Sequence, residues 1–95
     1  MKVFKQVIVN GHELQVTFDA EIIKMGWLTN NHLIEVVNKK TVLYRGVASK
    51  VHPTKSLKEV VEEIVKNTEQ YIFRIDEIDE TKAELDMWDG VINLK

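Results

Sequence analysis

The 95-residue chain has no cysteine, a single proline and four glycines, and each shortage closes off some chemistry. Without cysteine there is no disulfide to restrain the unfolded chain and no thiolate to act as nucleophile or zinc ligand. Packing must carry the stability. The glycines stand at 11, 26, 46 and 90 and never cluster. That removes both the Walker loop and the dinucleotide fingerprint, whose phosphates need closely spaced residues without side chains. Serine occurs only at positions 49 and 56, and no nucleophile, base and acid in a recognisable arrangement accompany either. No Pro/Gly-rich stretch reads as a linker, so residues 1–95 are expected to form one domain.

Long apolar runs are missing too. Nothing approaches the roughly 18 consecutive apolar residues of a membrane helix. The N-terminal MKVFKQVIVNG is broken by Lys5 and Gln6 where an export signal needs an apolar stretch of roughly 7 to 15 residues. A soluble cytoplasmic protein with no membrane partner is the expectation.

What is present is a globular balance, 44% hydrophobic and 29% charged, in an order that alternates strand and helix signals. VFKQVIV-NG-HELQVTF is a β-hairpin around Asn10-Gly11, a pair suited to a two-residue type I′ turn. That turn sets Val9 opposite His12, Val7 opposite Leu14, Lys5 opposite Val16 and Val3 opposite Phe18. One face is then apolar apart from Lys5. Residues 19–26, DAEIIKMG, offer an acceptor at Asp19 and a stopping glycine, the marks of one short helical turn. LIEVV-NKK-TVLYRGVA reads as a second hairpin with two registers open: a three-residue loop pairs Ile34 with Tyr44 and Val36 with Val42 and gives the cleaner apolar face, while a two-residue loop at Lys39-Lys40 pairs Val37 with Val42 and Glu35 with Tyr44.

Ser56-Leu-Lys-Glu59 is a capping box that starts a helix, and Leu57, Val60, Val61, Ile64 and Val65 make its single apolar stripe. Tyr71 to Ile78 alternates as a strand with Tyr71, Phe73 and Ile75 on one face. Thr81-Lys-Ala-Glu84 repeats the capping pattern ahead of a short C-terminal helix, although KAELDMW also alternates as a strand would. The expected fold class is α+β: an antiparallel sheet of about five strands, built from two β-hairpins plus a later strand, with one amphipathic helix packed on a face.

For function, exclusion says more than assignment. His12, His32 and His52 lie twenty residues apart, with no partner at the spacing that puts two metal ligands on one helical face. Glu62 and Glu63 have no second carboxylate placed opposite them by the sequence. The reading is therefore no metal, no cofactor and no catalytic residue. Charge is lopsided: between Glu35 and Glu59 lie Lys39, Lys40, Arg45, Lys50, Lys55 and Lys58 with no acid, while residues 76–89 hold seven acids and one lysine. Chance placement of the acids produces such gaps often enough that the gap alone assigns nothing. The net charge of −2 also argues against a dedicated nucleic-acid binder.

Trp27, Trp88 and Tyr44 are the candidate protein-binding residues, since exposed aromatics anchor interfaces. The expectation is a small non-catalytic protein that works by protein–protein interaction, through a sheet edge or its tryptophans, with self-association included. Nucleic-acid binding along residues 38–58 is the alternative, and a small-molecule site or enzyme the third reading.

Overall fold

The Asn10-Gly11 turn sets the register of the first hairpin and, through it, of the sheet. Asn10 (φ 52°) and Gly11 (φ 82°) both take the left-handed region that a type I′ turn requires. They join β1 (Lys2–Val9) to β2 (His12–Ile23). The observed pairs include Val9 with His12, Val7 with Leu14, Lys5 with Val16 and Val3 with Phe18, as the sequence predicts.

The computed structural model describes residues 1–94. After β2 come β3 (Gly26–Val36), β4 (Thr41–Gly46), β5 (Lys50–His52), α1 (Leu57–Asn67), α2 (Glu69–Ile72) and α3 (Ile75–Met87). The five strands form one antiparallel sheet in the order β1-β2-β3-β4, with β5 paired to the first part of β3 beyond the end of β4. The α+β class holds, with helices on one face of that sheet.

Several local expectations are corrected. Residues 19–23 continue β2 instead of forming a helical turn, because Ile22 and Ile23 favour extended backbone and the Asp19 carboxylate accepts from Asn31 Nδ2 at 2.7 Å instead of capping a helix. Gly26 (φ +133°) then begins β3; a Cβ there would lie 2.1 Å from the His52 carbonyl oxygen, so the close approach of β5 demands glycine. In the second hairpin Ile34 faces Tyr44 as expected, but Val36 faces Thr41 and Glu35 faces Val42. Leu43 is the extra residue of a β-bulge between them.

The largest correction is at residues 71–78. They are not a strand: Ile72, Ile75 and Ile78 recur every three residues, and that helical spacing wins over the alternation of Tyr71, Phe73 and Ile75. Ile72 and Ile75 are buried while Phe73 is exposed. The fifth strand of the sheet is β5 instead. The C-terminal helix accordingly starts at Ile75, and the Thr81 hydroxyl donates to the Glu77 carbonyl at 2.8 Å inside it instead of capping it.

Ser56 does cap α1, its hydroxyl accepting from the Glu59 N–H at 3.4 Å. The reciprocal half of the box is relayed: Thr54 Oγ1 donates to the Glu59 carboxylate and accepts from the Ser56 N–H. Val60, Val61 and Ile64 of α1 are buried on Leu14, Val16, Phe18 and Ile34 of β2 and β3, with Leu57 and Val65 partly buried at the margin. At about 1.5–3 kcal/mol for each fully buried large aliphatic or aromatic side chain, this contact is what holds a helix of middling formers together.

Replacing Gly26 by alanine is expected to destabilise the protein by more than about 1 kcal/mol, since the new Cβ meets backbone and not a movable side chain. Urea denaturation measures it, and an unchanged midpoint would mean that β5 does not cross β3 at this position.

Candidate functional site

A buried polar cluster forms where β3, β5 and α1 meet, and a bulge makes it. In a regular strand Thr29 and His32 would face opposite sides of the sheet. Asn31, in the left-handed region at φ 52°, adds one residue to β3 opposite the step from Thr17 to Asp19, and the added residue puts both side chains on the helix-bearing face. Thr29 Oγ1 then lies 2.9 Å from His32 Nε2 and 2.9 Å from His52 Nε2. On the other side of the His52 ring, Nδ1 is 2.7 Å from Glu63 Oε2 of α1, and Lys50 Nζ is 3.0 Å from Glu63 Oε1.

The carboxylate can only accept, so the His52 proton sits on Nδ1 and donates to Glu63. With both imidazoles neutral, both ring contacts of Thr29 are satisfied when its hydroxyl donates to His52 Nε2 and Thr29 Oγ1 accepts from His32 Nε2–H. The hydroxyl's other acceptor, the Lys50 carbonyl, is more distant at 3.4 Å. Burial, followed by the nearby His52 and Lys50, holds the His32 pKa below its usual 6.5. Hydrogen bonds from His52 and then Lys50 hold Glu63 below the ordinary carboxylate value of 4.5.

Carboxylate, imidazole and hydroxyl in this order resemble a hydrolytic triad, but Thr29 and His52 have no exposed surface. A nucleophile must reach its substrate. The cluster ties β5 to β3 and α1 by hydrogen bonds in a place where an unpaired group costs about 1–3 kcal/mol. Beside it is a cavity of about 220 Å³ lined by His32, Tyr44, Lys50, His52, Asn67 and Thr68 together with Ile64. His12 stays apart, 3.6 Å from Asp76. Among the described residues no three His, Cys, Asp or Glu side chains converge as metal ligands.

The candidate aromatics separate. Trp27 is half-buried against the core, on the face of the sheet that holds His52. Tyr44 is also half-buried, its ring 5.9 Å from that of Tyr71 and packed over Gly46. Trp88, at the end of α3, is 48% exposed. It belongs to a larger surface: every α3 residue after Ile75 is exposed, and Ile78, Leu85, Met87 and Trp88 lie on it, followed by Val91, Ile92 and Leu94. The longest dimension of the molecule is 61 Å and its radius of gyration 17.1 Å, against roughly 12–13 Å for a compact chain of this length. The second half of α3 projects from the body.

The basic residues do not gather. Lys39 pairs with Asp79 of α3 at 2.5 Å, Lys50 with Glu63, and Lys58 with Glu62 at 3.8 Å. Lys40 stands at the β3–β4 turn, Arg45 on the uncovered face of the sheet opposite Leu33, and Lys55 in the loop before α1. The acidic segment thus reaches the basic hairpin tip within one molecule. Nothing in the spacing of the histidines announced the polar cluster, since neither a bulge nor the position of Glu63 opposite β5 is visible in local sequence.

Two outcomes test the cluster. Thr29→Val removes the shared hydroxyl and leaves two buried imidazole nitrogens without it, an expected loss of about 1–3 kcal/mol per unpaired group in urea unfolding. Because His32 and Glu63 both have folded pKa values below their unfolded ones, each contributes stability that is complete above the unfolded value and is lost as pH falls below it. Unfolding midpoints should therefore drop first below about pH 6.5 and again below about pH 4.5, and His32→Gln should flatten the first step.

No family model, no curated protein and no solved structure matches this chain, so its functional reading rests on its own geometry.

Proposed function

We propose that this is a small cytoplasmic, non-catalytic protein that acts by binding another protein chain through α3 and the residues that follow it. One observation carries the reading: a helix of 13 residues keeps only Ile75 buried and presents Leu85, Met87 and Trp88 to solvent. Isolated helices of this length are marginal in water, and helical stability in proteins comes mainly from packing an apolar face. A projecting helix with large exposed side chains, an aromatic among them, has the composition of a binding element. Its acidic residues would set the partner's charge preference.

A second reading, a small-ligand site beside His32 and His52, has the neighbouring cavity in its favour. At about 220 Å³ that cavity is smaller than the roughly 300–1,000 Å³ of most small-molecule pockets, and the helix surface is the stronger candidate. Nucleic-acid binding has less support, because three of its six candidate cations pair with carboxylates.

The test is affinity capture from a native lysate of the host, with and without nuclease, comparing the natural chain with Leu85→Glu and Trp88→Ala. Both positions are exposed, so each variant should keep its stability within about 0.5 kcal/mol. The expected result is a protein partner that survives nuclease and is lost from both variants. Equal capture by the variants, or release of everything by nuclease, would overturn the reading.

A further inference from the structure

Resting on that reading of α3, the structure also indicates what the helix docks against. A second apolar feature lies open on the same chain, the trough between edge strand β1 and helix α1. Two depressions of about 520 and 570 Å³ share Val7, Val61 and Glu62 and so run together along the helix. Val3, Val7 and Val9 line one wall, and Leu57, Val61 and Val65 the other. A sheet four strands wide, at about 4.8 Å per strand, has room for helices side by side at roughly 8–10 Å spacing. Here α1 fills one place, and the place over β1 is empty.

Charge at the trough and on the helix is complementary. Lys5, Lys58 and Lys66 stand around the trough against Glu62 and Glu69, while the second half of α3 and the residues just after it carry Glu84, Asp86 and Asp89 against Lys82. The chain's own α3 is held away from its own trough. Its first turns span the end of the sheet where both hairpin turns lie, with Asp76 3.6 Å from His12, Ile78 beside Val36 and Leu43, and Asp79 paired with Lys39, so the helix runs from the β1–β2 turn toward β4 and its second half leads away from the trough.

We propose that the occupant is a second copy of this chain: two protomers exchange the second half of α3, each laying Leu85, Trp88 and the apolar residues at 91–94 into the other's β1–α1 trough. When the same two copies give and receive reciprocally, the exchange closes as a two-fold symmetric dimer and leaves no unfilled trough to propagate a fibre.

The chain lacks cysteine, which makes a specific test simple. Sedimentation equilibrium of the full chain should give twice the chain mass, with Leu85→Glu weakening dimerisation roughly tenfold or more, about 1.4 kcal/mol. Single-cysteine chains Leu85→Cys and Val7→Cys, mixed and oxidised, should form the 85–7 disulfide in preference to 85–85 or 7–7. A monomer at every concentration reached overturns the exchange, and so does a dimer that forms only the 7–7 bond, which would mean edge-strand pairing. If the chain is monomeric while Leu85→Glu still loses its partner in the capture experiment, the binding role of α3 survives and the self-exchange alone is wrong.

Discussion

The Thr29 hydroxyl joins three elements that local sequence leaves unconnected. It reaches His32 on its own strand and His52 on β5, and through His52 it reaches Glu63 on α1. A three-residue strand such as β5 cannot be held by its few ladder hydrogen bonds alone. The buried chain of polar contacts supplies the rest, and it depends on one extra residue, Asn31, whose left-handed backbone turns His32 to the same side as Thr29. A satisfied polar network of this kind rigidifies a core but penalises any loss of a partner, which is why burial and bonding occur together here.

From that joint outward, apolar surface is unevenly distributed. α1 covers the middle of the sheet, where Phe18, Leu14, Ile34 and Val16 have no exposed surface. Over β1 the cover stops, leaving a trough whose walls are valines and a leucine. The helix that could have covered it is α3, yet its first turns run from His12 across to Lys39 at the β3–β4 turn, which carries the rest of the helix away from β1. One chain thus carries both an open apolar trough and a projecting segment whose Leu85, Met87 and Trp88 are exposed. Its charges lean the same way, with three lysines against two glutamates by the trough and an excess of carboxylates along the helix.

Much of the fold was legible in advance, and the reasons are local. Asn10-Gly11 fixes a turn type, the turn fixes the register, and the register decides that Val3, Val7, Leu14, Val16 and Phe18 share a face. Ser56 and the Leu57–Val65 stripe likewise specify α1. Residues 71–78 were misread because isoleucine at 72, 75 and 78 and aromatics at 71 and 73 support both periods, and only the available burial decides between them. Residues 19–23 were misread for a related reason: Asp19 resembles a helix cap until Asn31, twelve residues away, takes its carboxylate. The aromatics at 27, 44 and 88 were identifiable as candidates, but their sequence neighbours could not say that only Trp88 stands on a projecting element.

The sequence by itself determined the turn, the capped helix, the α+β class and the exclusion of thiol and glycine-loop chemistry, because each follows from residue type and spacings of a few positions. Tertiary structure alone decided that His32 and His52 meet over Thr29, that Lys39 and Lys50 meet carboxylates, and that α3 projects while β1 stays uncovered. Those outcomes join residues roughly ten to forty positions apart in the chain, and at such separations it is the packing of the sheet and helices, not local preference, that selects a side chain's neighbours.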